Sequence, residues 1–523
     1  MTASRTLRVL HAEWTKFRTV RGWVLGSAGA LLLTVLVGLL GTAAPAGPGA
    51  VAYPRGPGGE AVNDSFRFVH RTLTGDGTLT VPLRALTGLA DTGIGRAPVA
   101  EVQPWAKAGI IVKESLDQGS PYAAVMATGG HGVRMQYGYT RDVAGPSGEV
   151  SERSPRWLRL VRAGDTLTGY ASTDGAHFTR IGATRLPGLP RTVRAGLFAA
   201  SPQAMHDTGT GAGFSPAVAT GAFGRPELTG GWSESGGSAG GGPAGGASAG
   251  GGPADAWSGT QVGGGAGTSG SYTSTLTGGF TRDPGGGFTV TGAGDIAPVV
   301  GGPVMGVGYA VENFLVGTFA GLVVVIAVST LFVTGEYRHG LLRTTLTATP
   351  SRGRVLAAKA LVAGGVAGVV GVAAAAVVLP LGESGARDRG FSVLPVGSAT
   401  EARVIVGTGL LCAATAVLAL GVGTLLRRGA TAVALVLASL VLPFLLATSG
   451  VLPPGASEWL LRLTPAAGFA IQRTLPYYPQ VLSVYEPSTG YHPLAPWTGL
   501  AVLCGYAALA LALAAARLRG RDA

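Results

Sequence analysis

Apolar positions in this chain follow two regimes. Six long runs, at about 22–42, 308–334, 355–381, 404–426, 429–449 and 497–516, approach or exceed the roughly 20 residues a helix needs to cross a bilayer core. Between the first and second runs the pattern shortens and alternates. "RWLRLVRAGDTLTGYASTDGAHFTRIG" (Arg156–Gly182) reads as three strands turning at Ala163-Gly164-Asp165 and Asp174-Gly175. "PYAAVMATGGHGVRMQYGYTR" reads as another strand pair around Gly129-Gly130. Short strands at regular spacing over 60–226 predict an all-β sandwich or barrel. The predicted fold class is therefore mixed: six transmembrane helices (TM1–TM6) with an all-β module inserted between TM1 and TM2.

The punctuation refines this division. Residues 227–256 are almost wholly Gly, Ser, Ala and Pro, the composition of a flexible linker. Within it "GGSAG" and "GASAG" match G-x-S-x-G, and "GAGTSG" nearby matches G-x-G-x-x-G. None stands at a strand-to-helix turn, which both motifs require, so chance in a Gly-rich stretch explains them. After the first apolar run, "GTAAPAGPGA" resembles a signal-peptidase site. The long charged leader and the length of the run favour an uncleaved anchor.

The leader itself, residues 1–21, is patterned. Leu7, Leu10, Trp14 and Phe17 fall on one helical face, flanked by Arg8, Lys16, Arg18 and Arg21. This predicts an amphipathic helix in the membrane interface, with Trp14, Lys16, Phe17 and Arg18 at the boundary between lipid and water.

Charge then fixes an orientation. If residue 1 is cytoplasmic, segments 1–21, 335–359, 427–428 and 517–523 lie inside, with fifteen Arg or Lys against three acids. The large segment 43–307 is nearly balanced, with nineteen against eighteen, and the remaining outer parts carry five against six. The net charge of +12 thus collects on one face. The expectation is a multi-pass protein of the cell membrane with both termini cytoplasmic and the β module outside. Anionic lipid and a cytoplasmic partner are the expected counterparts, not nucleic acid. Cys412 and Cys504 both fall in predicted spans, so the exported module is expected to stand without a disulfide.

Motifs for chemistry are few. Lys16, Lys107, Lys113 and Lys359 follow Thr, Ala, Val and Ala, so the Gly-Lys dipeptide of a phosphate-binding P-loop never occurs. No cofactor is expected on this chain; if ATP and Mg power it, they act through a separate subunit. Glu114 and Asp117 lack the third carboxylate of a sandwich glycosidase, and no catalytic or metal-ligating set is assigned.

After TM2, "GEYRHGLLRTTLTATPSRGRVLAAKALV" leads straight into TM3. This stretch, and the membrane portion as a whole, resembles the permease subunits of ABC-2 type transporters. The matching residues are Glu336, Tyr337, Arg338, Gly340, Pro350, Arg352 and Lys359. The resemblance implies a cytoplasmic coupling helix in 335–354 that docks on an ATP-binding subunit through Glu336, Tyr337, Arg338, Gly340, Leu341, Leu342, Arg343 and Leu346. Pro350, Arg352 and Lys359 would form the TM3 entry. It also implies two copies of the ATPase, a permease homodimer, and re-entrant helices in the outer segment 450–496. "SEWLLRLTPAAGFAIQ" there offers Trp459, Leu460, Leu463 and Phe469 to the membrane. A basic loop obeying the positive-inside rule would explain the arginines alone, but not Glu336 or the leucines. A membrane-anchored sensor that transports nothing is the alternative function.

The β module is similar to concanavalin A-like (laminin-G type) jelly rolls in "NDSFRFVHRTLTGDGTLTVPLRAL", "RWLRLVRAGDTLTGYASTDG" and "VRAGLFAAS". In such modules a strand like "GGFTVTGAGDI" precedes the "DSFRF" strand, whereas here it stands at Gly286–Ile296. Residues 257–297 are therefore expected to fold back and supply edge strands. The resemblance leaves two roles open: binding a glycan or envelope ligand, and a structural cap.

Overall fold

Two architectures meet in the chain, each following its own period. The computed structural model describes residues 2–40, 53–91, 97–207, 212–233, 257–264, 276, 278–300, 309–338, 351–389, 391, 393–449, 451–481, 485, 487 and 490–519. The helices are α1 (Thr2–Thr19), α2 (Arg21–Leu40), α3 (Gly317–Arg338), α4 (Arg352–Asp388), α5 (Ser398–Leu426), α6 (Gly429–Thr448), α7 (Pro454–Leu463) and α8 (Pro496–Arg519). Among the described residues six helical stretches are long and apolar enough to span a membrane. They are α2, α3 with the 3-10 turn Val311–Val316 before it, α4, α5, α6 and α8.

These helices coincide with the six apolar runs, except that α5 begins at Ser398 rather than 404 and α4 continues past 381 to Asp388. Hydropathy does not register that polar extension, which carries its own Arg387–Glu383 pair at 2.7 Å. α6 runs through Pro443 as one helix.

Glycine brings the helices together. Gly364, Gly368 and Gly371 of α4 line the seam with α5, and a methyl group on Gly371 would sit 2.9 Å from Gly409 Cα and from Cys412 Sγ. Gly364 and Gly368 stand at G-x-x-x-G spacing, and it serves packing within the chain.

The β module contains β1 (Val62–Asp64), β2 (Phe66–Ala90), β3 (Val99–Ala100), β4 (Lys107–Lys113), β5 (Tyr122–Thr128), β6 (Val133–Tyr137) and β7 (Arg141–Ala144). Next come β8 (Arg156–Ala163), β9 (Thr166–Ser172), β10 (Thr179–Arg185), β11 (Thr192–Ala200), β12 (Ala204–Asp207), β13 (Ala212–Ser215), β14 (Ala217–Phe223) and β15 (Glu227–Trp232). The last are β16 (Ser258–Val262), β17 (Gly279–Arg282), β18 (Phe288–Gly292) and β19 (Ile296–Pro298). All pairings between these strands are antiparallel, and β2 is the hub.

The first part of β2 lies between β11 and β16, its middle between β8 and β15, and its end beside β14 and β3. From there the order runs outward through β4-β5-β6-β7 on one side and β9-β10 on the other. The two halves enclose a core that includes Val69, Leu79, Ile110, Val125, Leu158 and Leu197. This is a jelly-roll-like sandwich. Residues 257–297 enter it through β16 on β2, β17 on β18, and β18 on β14.

Strands β4 and β5 are buried along their full length. A half-exposed strand would alternate, so a second layer must cover their outer face. That layer includes the ribbon of β1 paired with β19, and beneath it lie Phe66, Ile111, Tyr122 and Phe198.

Candidate functional site

The α1 sequence puts Glu13, Lys16 and Phe17 at i, i+3 and i+4, on one side of the helix. Glu13 is 1% exposed and Phe17 4%, whereas Leu7 and Trp14 remain exposed. The helix therefore lies with an acidic and aromatic edge against the bundle, where Leu10 also packs, while Leu7 and Trp14 face outward. Phe17 meets Trp23 of α2 and Phe332 of α3, at ring separations of 5.9 and 5.5 Å.

On this aromatic floor sits a cluster of four charges. Lys359 Nζ donates to Glu13 Oε2 and to Glu336 Oε1, both at 2.7 Å. Lys16 Nζ donates to Glu13 Oε1 at 3.0 Å and to Glu336 Oε1 at 3.2 Å. The Lys359 ammonium also lies 4.4 Å from the centre of the Phe332 ring.

Glu336 is 5% exposed and Lys359 1%. Only Lys16 reaches solvent. Burial pulls its ammonium down, but Glu13 and Glu336 outweigh this and hold it above the ordinary lysine range. Two cations against two carboxylates make the cluster neutral, the condition under which buried charges are tolerated.

The cluster ties together α1, the last turn of α3 and the second turn of α4. It thereby brackets the connector between Arg338 and Ser351 from both ends. Tyr337 is half-buried, with the Arg427 guanidinium 5.2 Å over its ring. Arg352 Nη1 donates to the Leu518 carbonyl of α8 at 2.6 Å. Arg338 closes α3, and Arg18 is exposed on α1. Gly340, Leu341, Leu342, Arg343, Leu346 and Pro350 lie outside the described residues. Glu336, expected to face a partner subunit, instead faces the chain's own lysines.

By charge alone Glu13 is one acid among many cations. Its signal was present: a carboxylate four residues before Phe17, on the face that becomes buried.

At the opposite end of the bundle the chain from α7 turns inward. The 3-10 segment Pro465–Gln472 is wholly buried. Phe469 stacks on Phe319 at 4.1 Å, inside the bundle, while Trp459 and Leu463 stay exposed. Gln472 Nε2 donates to Thr318 and Thr408 hydroxyls, both at 3.1 Å. Glu312 accepts from the Thr474 and Leu475 amides, and Arg403 donates to the Arg473 carbonyl at 2.5 Å. Both residues fasten the exit of the buried segment.

No family model matches the chain, and no curated protein matches it. Several solved structures are similar to part of it. One is a functionally unknown protein from Saccharomyces cerevisiae, at 16% identity over 35% of this chain and 83% of that one, with a TM-score of 0.23. Another is scytalido-glutamic peptidase, at 10% identity over 32% of this chain and 81% of that one, with a TM-score of 0.21. Sheep galectin-11 matches at 11% identity over 28% of this chain and 95% of its own, with a TM-score of 0.16. Likenesses this slight carry no argument; the chain is a jelly-roll-like sandwich joined to six membrane-type helices on the evidence of its own strand pairing and helix lengths.

Proposed function

We propose that the chain is the membrane-spanning permease subunit of an ATP-driven exporter of the ABC-2 type, working as a homodimer with two copies of a separate ATPase. The observation that carries this reading is the buried Glu13–Lys16–Glu336–Lys359 cluster. It supports a mechanical role, because a force on the connector between Arg338 and Ser351 reaches α1, α3 and α4 through the short Lys359 ion pairs, which are closed off from water. In water the same pairs would be weak and exchangeable; once dry, they transmit displacement. The ATPase would bind ATP and Mg on the cytoplasmic side, and the helices would move a hydrophobic or envelope-bound solute outward.

Reconstitution tests the reading. With the ATPase subunit that co-purifies in mild detergent, the chain should stimulate ATP hydrolysis, and Glu336→Arg should abolish the stimulation while leaving basal ATPase intact. A chain that captures no ATPase sinks the proposal. It would favour the second reading, a membrane-anchored sensor that presents its sandwich and transports nothing. The observation favouring that alternative is the size of the sandwich module, which runs from Val62 to Pro298.

A further inference from the structure

Strand β4 reads "KAGIIVK", with a lysine at each end. The two lysines are six residues apart, so they point to the same face, away from the sandwich core. Each side chain is 0% exposed. An ammonium so buried needs an anion, and each lysine finds one in a different membrane connector.

Lys113 Nζ donates to Asp64 Oδ2 at 2.8 Å and to Ser120 Oγ at 2.6 Å. Asp64 ends β1, on the stretch that leads in from α2. Lys107 Nζ donates to Asp295 Oδ1 at 2.5 Å and to the Ile296 carbonyl at 2.8 Å. Asp295 precedes β19, on the stretch that leads out towards α3. The two connectors also pair with each other, Asn63 opposite Ala297.

Just beyond the ribbon the chain meets the segments that enter and link the helices. Ala61 and Val299 form one apolar cluster with Ala310 and Leu394, and Leu475 packs against it. A cavity of about 50 Å³ lies at the same junction, bordered by Glu60, Val300, Pro395 and Tyr478. A third tie comes from Tyr139, held in the left-handed region at φ 59°. Its hydroxyl donates to Asp64 Oδ2 at 2.7 Å, and its carbonyl accepts from Gln480 Nε2 at 3.1 Å. A non-glycine residue in that conformation is strained and persists where its surroundings hold it.

We infer that Lys107 and Lys113 form a clasp that seats the sandwich on the outer end of the bundle through the β1–β19 ribbon. The sandwich is then a fixed part of the outer mouth rather than a module on loose tethers. The end of the bundle opens only by carrying the sandwich along or by breaking a dry ion pair. Burial holds Lys113 below the ordinary lysine range despite Asp64, so removing either partner leaves a charge with no water to accept it. The inference applies to a transporter subunit and to a sensor alike.

Hydrogen exchange on the full chain in nanodiscs tests it. Lys113→Met should speed exchange about tenfold or more in 61–66, 294–300 and 474–480, while β8 and β9 keep their protection. Introducing Asn63→Cys with Ala297→Cys in that background, then oxidising, should restore the slow rates in the ribbon. Unchanged exchange in Lys113→Met overturns the clasp. So does loosening that spreads equally through β8 and β9, or loosening that the disulfide fails to reverse.

Discussion

A lysine that bridges two buried carboxylates holds both of them in place. Lys359 is the hub of its cluster, and both acids depend on it. Replacing it by Met leaves Glu13 and Glu336 facing each other at low exposure, with only half-exposed Lys16 between them. Breaking a buried pair in this way costs about 3–5 kcal/mol. Lys16 differs, because its side chain is 37% exposed and water replaces much of what it supplies. Lys16→Met should therefore cost about 1 kcal/mol or less. Thermal unfolding in detergent should show a large fall in Tm for Lys359→Met and a small one for Lys16→Met. Equal effects would mean that the cluster is not dry. None of this was visible in sequence beyond the residues themselves. Glu13 and Lys359 are 346 positions apart, and only the packing of α1 across the start of α4 brings them together.

At the scale of elements, what sequence reveals depends on the length of the signal. A span is a long apolar run with a fixed requirement, so the ends of α2, α6 and α8 lie close to their predicted limits. The hairpin turns were equally legible, because Gly164 and Gly175 adopt the positive φ that only glycine takes freely. The clasp was not. Lys107 and Lys113 read as the polar limits of a strand, and nothing local says that a second layer will cover them.

Glycines in the helices divide by the same logic of contact. Gly371 faces α5 with no room for a methyl group, whereas Gly365 has nothing within 4 Å. Gly371→Val should force α4 from α5 and cost about 1–3 kcal/mol. Gly365→Ala should be neutral or add up to about 1 kcal/mol. Tm and monodispersity of the two purified variants check this directly; a harmless Gly371→Val would show that the seam is looser than its backbone distances imply.

Over the whole molecule, the two ends of the bundle are chemically unlike. One end gathers Arg21, Arg352, Arg427, Arg428 and Arg519 at the helix termini, beside the Glu–Lys cluster. The other end carries the sandwich, whose segment is almost balanced in charge. A rim of arginines stays on the side of anionic lipid during insertion, while a balanced module crosses. The sandwich should then be outside and both termini inside.

Single cysteines report this once Cys412 and Cys504 are replaced by Ala. Thr179→Cys, exposed on β10, should react with a membrane-impermeant maleimide in intact cells. Arg18→Cys and Arg519→Cys, exposed at the opposite end, should react only after the membrane is opened. Labelling of Arg519→Cys in intact cells would invert the molecule. It would place the charge cluster away from any cytoplasmic ATPase, and the permease reading would fall with the orientation.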